Sequence, residues 1–424
     1  MKGIEDAAGA VVAAGSVPTL NGVRPPSIDI GPRQPHERLA ILAANAGLRR
    51  VQILAWRDLE HPEAGGSEVH AARIAERWAA AGIDVQLTTS RAPGAPRRSQ
   101  RDGYRTLRPA GRYGIFPAAA AAALAGRRSR PDGVVEIWNG MPFFSPVWAP
   151  HPRVVFLHHV HGGMWDLVLP RALARAGKWV ERRLAPPLYA GTPVVTLSES
   201  SRRTIVATLG LDPALVSVVP PGVDPRFHPG GPVEKTPLVV AVGRLVPYKR
   251  FDLLVDLLVR VRARHPDLQA VVAGEGSERR RLEALVAAHH AEGWLHLPGR
   301  VTDEALVDLY RRAWVVLSTS AYEGWGLTIS EAAACGTPAI ASPIDGHLDA
   351  IHDGESGLLA EPGAAMEAAL NQVLTNRVVR RRLQVGARNR ARELTWDQTA
   401  LGTLQVLTAD RTRRSGPVAA PVGS

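Results

Sequence analysis

The feature that most constrains the fold is a succession of strand, turn, helix and strand in residues 314–342. Residues 314–317 and 338–341 are short apolar runs of the length expected for buried strands. Between them the sequence predicts a glycine-flanked turn at residues 323–326 and one helix over residues 328–335, which Gly336 ends. Strands joined through a helix predict a parallel sheet with helices packed on it.

The predicted helix starts at the carboxyl end of a strand, where parallel sheets keep their ligands. Backbone N–H groups at a helix start can hold a phosphate, and Gly324 and Gly326 let a ligand approach the backbone closely. Glu323 and Glu331 lie eight positions apart, so each can contact a different part of one elongated ligand. A diphosphate between them would leave Glu323 for a sugar hydroxyl and Glu331 for a ribose. Glu331 also fits a capping box with Thr328, and the two roles are compatible.

The spacing of these glutamates and glycines resembles the signature of retaining glycosyltransferases of the family 4 type. Such enzymes have the GT-B architecture, in which two Rossmann-like domains face each other and a C-terminal helix crosses back to the first. Further motifs follow in the family's order from about Arg50 to Gln398. The resemblance therefore implies an α/β fold of the GT-B type. The expected segments are a loose tail (1–45), an acceptor domain (46–226), a nucleotide-sugar-binding domain (227–395), a returning helix (396–410) and a second loose tail (411–424).

Apolar runs, among them residues 51–55, 133–138 and 154–157, alternate with helical stretches through the first half, which predicts a parallel, doubly wound sheet. The first of these strands, at residues 51–55, leads to Gly65 and Gly66 at the start of a helix. A glycine pair of this kind is often only a tight turn. Its match to the family's first glycine loop implies a place where a phosphate or sugar approaches the backbone.

Three histidines, His158, His159 and His161, follow the apolar run at residues 154–157. Such a cluster could bind a metal ion, but no cysteine or paired carboxylate accompanies it, so we predict no metal. By resemblance His158 matches the family's active-site histidine, whose side chain or backbone meets the donor sugar. His159 and His161 are weaker candidates, expected to be solvated or structural.

A basic loop follows the first predicted strand of the second half. Arg244 and Lys249 are five positions apart in it, so both can contact one anionic group. Arginine would bind such a group through two parallel hydrogen bonds and lysine as a point charge. Taken alone, the pair fits a solvated loop. Gly243, Arg244 and Lys249 nevertheless match the family's G-R-x-x-x-x-K clamp, which implies contact with the donor diphosphate.

The resemblance implies further donor contacts in three other loops. Gly274 lies in a G-x-G turn after one strand, and Arg300 and Val301 follow another. The family uses these loops to hold the base and ribose, with the backbone of Arg300 and Val301 nearest the base. The start of the central helix is expected to contact the donor at Gly326, Leu327 and Thr328.

The implied activity is transfer of a sugar from a nucleoside diphosphate to an acceptor hydroxyl with retention of the anomeric configuration. His158, Glu323, Arg244 and Lys249 are the expected catalytic residues, because positive charge must stabilise the leaving diphosphate. No carboxylate stands out as a nucleophile on the other face of the sugar, which fits a front-face mechanism. The nucleotide sugar is a co-substrate, so we predict no cofactor. Residues 246–250 look like loops of several mannosyltransferases and favour GDP-mannose over a UDP-sugar.

The 424-residue chain is long enough for two domains, and its 45% apolar content is that of a globular protein. Cys335 is the only cysteine and has no disulfide partner, so we expect a reducing cytoplasm. A small buried residue describes Cys335 better than a nucleophile does. No uninterrupted apolar run approaches the ~18 residues of a membrane span.

The formal net charge is +11, from 51 basic and 40 acidic residues. Ten arginines and a single acidic residue lie between Arg91 and Arg130, and a second basic group spans residues 171–183. One interpretation is a solvated basic face. The other is peripheral docking on the inner face of the cell membrane, since each basic residue near an anionic bilayer adds ~1 kcal/mol. The second interpretation predicts a lipid-linked or phosphorylated acceptor and a role in cell-envelope glycolipid or polysaccharide synthesis.

Three other classes of protein fit parts of the sequence. A hydride-transferring Rossmann enzyme needs an early G-x-G-x-x-G motif, and Gly65-Gly66 is not that pattern. A nucleotide-sugar epimerase of the same architecture stays open, and transfer to an added acceptor would separate the two activities. A nucleic-acid-binding protein would explain the charge, but the basic residues lack interleaved aromatic residues or a known module, so we predict no nucleic-acid partner.

Overall fold

A computed structural model of the protein describes residues 34–125 and 130–415, and two sheets form its framework. Within the described residues the first sheet has eight strands: β1 (Arg50–Leu54), β2 (Asp84–Thr88), β3 (Arg98–Arg101), β4 (Tyr104–Leu107), β5 (Gly133–Trp138), β6 (Arg153–Leu157), β7 (Val194–Thr196) and β8 (Val216–Val218). The second sheet has six: β9 (Leu238–Val242), β10 (Gln269–Ala273), β11 (Leu295–Gly299), β12 (Val315–Ser318), β13 (Ala339–Ala341) and β14 (Gly357–Leu359).

Helices connect most of the strands. Those of the first half are α1 (Pro35–Asn45), α2 (Gly66–Ala80), α3 (Ile115–Ala125), α4 (Ser145–Trp148), α5 (Met164–Val168), α6 (Arg171–Trp179), α7 (Ala185–Tyr189) and α8 (Glu199–Leu209). Those of the second half are α9 (Phe251–Arg262), α10 (Arg279–Ala288), α11 (Asp303–Arg312), α12 (Leu327–Cys335), α13 (His347–Ala350), α14 (Ala364–Thr375), α15 (Arg377–Arg392) and α16 (Trp396–Ser415). In the parts of the chain described, no helix combines the length and apolarity needed to cross a bilayer.

The first sheet has the strand order β3-β4-β2-β1-β5-β6-β7-β8. Every residue of β5 and β6 is buried, as expected for central parallel strands whose two faces are both covered. The apolar runs at residues 51–55, 133–138 and 154–157 predicted β1, β5 and β6. The order reverses between β1 and β5, so the loops that follow those two strands open at a topological switch point.

Strands β3 and β4 are absent from the sequence-based interpretation. They form an antiparallel hairpin at the sheet edge, closed by Asp102 and Gly103 with φ of 46° and 83°. Positive φ at both turn residues is typical of a tight type I′ hairpin, for which Asp-Gly is a preferred pair. The sequences Arg-Ser-Gln-Arg and Tyr-Arg-Thr-Leu are largely polar, because β3 is mostly exposed and β4 buries only Tyr104 and Thr106, and for that reason they carry no apolar strand signal.

The second sheet is parallel throughout, with the order β11-β10-β9-β12-β13-β14. Numbered along the chain, this is the 3-2-1-4-5-6 order of the doubly wound dinucleotide-binding fold. The switch point lies between β9 and β12. The loops that leave these two strands carry the basic clamp and the glutamate turn predicted from sequence, so the topology brings both to one crevice.

The last helix, α16, returns to the first half of the molecule, as the GT-B arrangement predicts. The indole Nε1 of Trp78 on α2 donates to the carbonyl of Ala400 at 3.0 Å. Farther along, the buried carboxylate of Asp410 accepts from the backbone amide of Arg153 on β6 at 3.0 Å. The helix was predicted to end at residue 410 and runs to Ser415, so residues 411–415, which were predicted as part of a loose tail, are helical. Residues 416–424 lie outside the described residues.

The predicted loose N-terminal tail needs a correction at its end. Residues 35–45 form α1, which starts with Pro35 in its first turn and packs against α2 and α16. Leu39 and Ala43 are buried because residues four positions apart lie on one face of a helix. The rest of the predicted tail, residues 1–33, falls outside the described part of the chain.

Candidate active site

The basic loop after β9 is held against the glutamate turn after β12. The amide of Ala321 donates to the carbonyl of Tyr248 at 2.8 Å, and the hydroxyl of Thr319 donates to the carbonyl of Arg250 at 2.8 Å. These bonds bring the Lys249 ammonium into direct contact with the Glu323 carboxylate. The structure therefore joins two predicted site residues that are 74 positions apart in the chain.

Arg244 lies in the same loop and donates from its guanidinium to the hydroxyl of Tyr248 at 2.7 Å. It has no carboxylate partner among the ion pairs of the described residues. Gly243 sits below the clamp, where an added Cβ would lie 3.7 Å from the Lys249 Nζ. The half-buried guanidinium and ammonium groups are thus placed on one side of the crevice, as binding of an anionic group requires.

The glutamate turn leads directly into α12. Gly326 is the N-cap residue and has φ of +96°, a conformation that favours glycine. The helix begins at Leu327, and the first N–H groups, including those of Leu327 and Thr328, have no acceptor within the helix. Partial positive charge at such a helix start favours a phosphate. Free amides and the basic loop therefore face the same switch point.

The capping-box interpretation of Glu331 with Thr328 is wrong. The helix N-cap is Gly326, two residues before Thr328, and no side chain caps this helix end. Glu331 instead accepts a hydrogen bond from the hydroxyl of Tyr310 on α11 at 3.1 Å. Burial raises the pKa of Glu331 to about 7, although the Tyr310 hydrogen bond acts in the opposite direction.

Glu323 has the opposite electrostatic environment. Burial alone would raise its pKa, but the charge and hydrogen bond of Lys249 outweigh burial and hold the pKa below its usual range. His347 acts in the same direction. Glu323 is therefore ionised at neutral pH and can accept hydrogen bonds from sugar hydroxyls. The two glutamates differ in pKa because Lys249 contacts Glu323, whereas Glu331 forms no ion pair within the described residues.

The glycine loop of the first half reaches across to this site. A Cβ added at Gly65 would lie 3.3 Å from the Arg244 Nε, and one at Gly66 would lie 3.1 Å from Leu327 Cδ1. The Glu68 carboxylate fixes the loop, because it accepts from the Gly65 amide at 2.7 Å. Gly65 and Gly66 of the first half thus lie directly against Arg244 and Leu327 of the second half.

His158 lies at the carboxyl end of β6, inside this cleft. Its carbonyl oxygen would be 2.8 Å from a Cβ added at Gly324, so the missing side chain lets the glutamate turn contact the histidine backbone. The imidazole is buried, packs edge-on against His70 at 5.1 Å, and has no hydrogen-bond partner at either ring nitrogen. Burial lowers its pKa to about 3, with a contribution from His159. The ring is neutral at physiological pH and can exchange hydrogen bonds with a ligand.

The other two histidines differ from each other, although their rings stack at 4.8 Å. Burial lowers the pKa of His159, and the charge of Glu323 opposes that effect. His159 therefore interacts electrostatically with the charged residues of the site. His161 is fixed by Glu181, whose buried carboxylate accepts from the His161 amide at 2.7 Å. Across residues 34–125 and 130–415 no cluster of three His, Cys, Asp or Glu side chains is arranged to hold a metal ion.

The loops predicted to hold the base adjoin the clamp. The amide of Gly274 donates to the carbonyl of Gly299 at 2.8 Å, and a Cβ added at Gly274 would lie only 1.9 Å from the Gly243 carbonyl oxygen. Glycine is therefore required where these backbones meet. Arg300 is exposed and Val301 half-buried directly after this contact, and their place beside a base stays a prediction.

Sequence analysis missed the segment that follows β13. The His347 Nδ1 donates to the Ser342 carbonyl at 2.9 Å, and its buried Nε2 has no partner. A Cβ added at Gly346 would lie 2.6 Å from the Gly324 carbonyl carbon, so the segment packs directly under the glutamate turn. Its position at the carboxyl end of a parallel strand was the available signal.

The same segment contacts the first half through Asp349. This carboxylate accepts from the backbone amides of Glu199 at 2.9 Å and Ser200 at 3.1 Å, which are the first residues of α8. Asp345 accepts from the Thr204 hydroxyl at 2.6 Å. An acidic side chain from one half therefore occupies the positive end of a helix in the other, a favourable electrostatic contact across the cleft.

Known proteins show which family has this arrangement. Residues 225–391 match the family Glycosyl transferases group 1, and residues 64–227 match Glycosyltransferase Family 4. A D-inositol 3-phosphate glycosyltransferase of Acidothermus cellulolyticus is 30% identical over 92% of this chain and 98% of the relative. The chain belongs to the group 1 glycosyltransferases.

Solved structures agree on the fold of this group 1 glycosyltransferase. A sucrose-phosphate synthase from Thermosynechococcus elongatus superposes with a TM-score of 0.71 at 22% identity, covering 84% of this chain and 98% of the other. HepE of Anabaena, solved in complex with UDP and glucose, gives a TM-score of 0.66 at 18% identity, with coverage of 85% and 100%. These similarities confirm the GT-B fold.

Cys335 takes no part in the site of this glycosyltransferase. It lies at the end of α12 and is buried, and burial raises the pKa of its thiol to about 12. A thiol that stays protonated is a poor nucleophile.

Proposed function

We propose that this glycosyltransferase moves a hexose from a nucleoside diphosphate to the hydroxyl of a phosphorylated or lipid-linked acceptor, with retention of configuration. The observation that carries the proposal is the joining of Arg244, Lys249 and Glu323 with the start of α12 at one switch point. Cations and free amides suit a departing diphosphate. The ionised Glu323 suits the hydroxyls of the sugar attached to it.

The reaction would proceed on one face of the sugar. The bond from the anomeric carbon to the diphosphate oxygen breaks, and a bond to the acceptor oxygen forms on the same side. The acceptor proton passes to the departing diphosphate, so no protein base is needed. Arg244 and Lys249 would stabilise the charge that develops on the diphosphate, where one such fixed donor is typically worth ~100-fold or more in rate.

His158 would position the sugar rather than transfer a proton. Its pKa of about 3 makes it a neutral imidazole in the working pH range. Both ring nitrogens lack protein partners, so one can donate to a sugar oxygen and the other can accept from a hydroxyl.

The donor base separates two versions of the proposal. Residues 246–250 favour GDP-mannose through their likeness to mannosyltransferase loops, whereas the Anabaena structure contains UDP. The relative named for D-inositol 3-phosphate supports a phosphorylated acceptor. A lipid-linked acceptor of the cell envelope, reached from the inner face of the membrane, is the other acceptor that we propose.

The test is a thermal-shift screen with UDP, GDP and ADP, followed by transfer assays with the matching nucleotide sugars. A ligand that binds only the native state raises its melting temperature, so the cognate nucleotide should give the largest shift. Transfer of label to an added phosphorylated acceptor would support the proposal. Binding of a nucleotide sugar with interconversion of its sugar and no transfer would instead support the epimerase alternative.

A further inference from the structure

A helical segment beside the cleft exposes large apolar side chains that the described part of the chain does not cover. It comprises α6, a π-helical turn at Val180–Leu184 and α7. Leu173 and Trp179 are 58% and 57% exposed, and Leu184 and Leu188 are also exposed. Single exposed apolar residues are ordinary, but four on one short segment indicate a binding surface.

The opposite side of the segment explains its attachment to the protein. Gly177 lies flat against the Trp165 indole, since an added Cβ would be 2.9 Å from that ring. The buried Glu181 carboxylate accepts from the Trp165 Nε1 at 3.1 Å, and the Tyr189 hydroxyl donates to Glu136 at 2.7 Å. Small and polar residues therefore fix the segment, while its bulky apolar residues point away from the core.

Arginines are interleaved with the exposed apolar residues. Arg171, Arg175, Arg182 and Arg183 are all exposed, and none has an ion-pair partner among the described residues. Residues 164–190 contain five basic residues and two acidic ones. One acidic residue, Asp166, is paired with Lys178, and the other is the buried Glu181. Unpaired positive charge beside exposed tryptophan and leucine is the composition of a helix that lies in a bilayer interface.

The basic group at residues 91–130, which first suggested membrane docking, is a weaker candidate. Arg108 is buried in ion pairs with Asp58 and Glu60. Arg101, Arg105 and Arg112 also pair with carboxylates. Arg127 and Arg128 lie outside the described residues. Much of the charge in this group is therefore neutralised locally, in contrast to the α6–α7 segment.

We infer that the face formed by Leu173, Arg175, Trp179, Arg183, Leu184 and Leu188 docks on an anionic lipid bilayer. The face adjoins the active site. The guanidinium of Arg182, the neighbour of Arg183, is 3.7 Å from a Cβ built at Gly162, and a Cβ built at Gly163 would meet the hydroxyl of Tyr322, the residue before Glu323. Docking there would present the cleft to acceptors held at the membrane. Access to acceptors at the membrane matters only if the proposed function is right, whereas docking itself can be measured without donor or acceptor.

A second copy of the chain is a poorer occupant than a bilayer. A two-fold dimer through this face would bring its unpaired arginines against each other, because the same patch meets itself in such an interface. Phospholipid headgroups supply the anions that the described part of the chain does not supply here.

The experiment is co-sedimentation of the full chain with phosphatidylcholine vesicles that contain increasing fractions of phosphatidylglycerol, at low and high salt. Binding should rise with anionic lipid and fall with salt, because screening weakens charge attraction. At ~1 kcal/mol for each basic residue, or about fivefold in the partition constant, the variant Arg175→Glu/Arg183→Glu should bind at least about 25-fold more weakly. Trp179→Ala should bind several-fold more weakly and leave the salt dependence in place.

The matched control is Arg381→Glu/Arg382→Glu, which changes the net charge equally at exposed positions of α15 in the other half. It should retain most of the binding. Equal losses in the two charge variants would show that overall charge, not this face, causes binding, and would overturn the inference. So would equal binding of the unmodified chain to neutral and anionic vesicles, or dimerisation through Trp179 without vesicle binding. The thermal shift that the nucleotide induces is measured in each variant as well. An unchanged shift shows that a loss of vesicle binding concerns the docking face and not the donor site of the proposed function.

Discussion

Replacing Glu331 with glutamine tests the raised pKa of a carboxylate that we expect to bind the donor ribose. The ordinary pKa of 4.5 becomes about 7 in the folded protein, chiefly because of burial. Folding therefore favours the protonated carboxyl group. In the unfolded chain the same group loses its proton at lower pH, near its ordinary pKa of 4.5. The stabilising contribution is full below about pH 4.5 and is lost as pH rises through about 7.

The magnitude follows from the shift. At ~1.4 kcal/mol for each pKa unit, a shift of this size corresponds to about 3 kcal/mol, and the partial hydration of a half-buried side chain reduces it to about 2 kcal/mol. Glu331→Gln keeps a neutral group that still accepts from Tyr310. The variant should thus have the same stability as the unmodified protein in acid and be more stable by about 2 kcal/mol near pH 8, which corresponds to about 2 °C in melting temperature for a chain of this length.

Nucleotide affinity should respond to pH in the opposite sense. An ionised carboxylate accepts hydrogen bonds from both ribose hydroxyls, so binding should strengthen as pH rises from about 6 to 8 in the unmodified protein. Calorimetric titrations of the cognate nucleoside diphosphate into both proteins measure this effect, and the variant corrects for titration of the nucleotide itself. Two results together would refute the reasoning. They are a ratio of nucleotide affinities between the two proteins that stays constant from about pH 6 to 8, and a difference in melting temperature that does not change with pH.

Four further substitutions test the rest of the site. Lys249→Ala should lower turnover ~100-fold or more with an unchanged circular dichroism spectrum, since it removes a charge that opposes the developing diphosphate anion, and near-normal turnover would contradict its role. Glu323→Gln should impair transfer more than binding of the free nucleoside diphosphate, and an affinity loss equal to that of Glu331→Gln would mean that the division of roles is wrong. His158→Ala should abolish transfer at an unchanged spectrum, and full activity there with loss in His159→Ala would move the role to the neighbouring ring. Asp349→Asn should reduce stability by ~1–2 kcal/mol, as measured by urea unfolding, because it removes a charge at the start of α8; no change would show that this contact across the cleft contributes little.

The sequence predicted those parts of the fold whose signals are local and apolar. The runs at residues 133–138 and 154–157 form the buried strands β5 and β6, and the glutamate turn at residues 323–326 leads into α12 as expected. The β3–β4 hairpin was missed because it is largely polar, and α1 was missed because its short apolar run at residues 39–44 follows a long stretch of scattered Pro, Gly and charged residues.

The contacts that complete the site could not be predicted in the same way. Tyr310 beside Glu331 and Asp349 at the start of α8 depend on how distant segments pack, and no spacing along the chain encodes either contact. The environment also decides charge state: two glutamates of one motif differ in pKa because Lys249 contacts only Glu323. The motif predicted where the two glutamates lie in the fold, but the structure was needed to show their contacts and the direction in which each pKa shifts.

The measurement that tests the central claim most directly compares the binding of the cognate nucleoside diphosphate with that of its nucleoside by calorimetry, in the unmodified protein and in Arg244→Ala/Lys249→Ala. Hydrogen bonds to charged groups are worth ~1.5–3 kcal/mol each, so the diphosphate should bind about 100-fold or more tightly than the nucleoside, and most of that advantage should disappear in the double variant while nucleoside affinity is kept. Equal affinities for the two ligands in the unmodified protein, or a phosphate advantage that survives loss of both cations, would contradict a diphosphate clamp at this switch point.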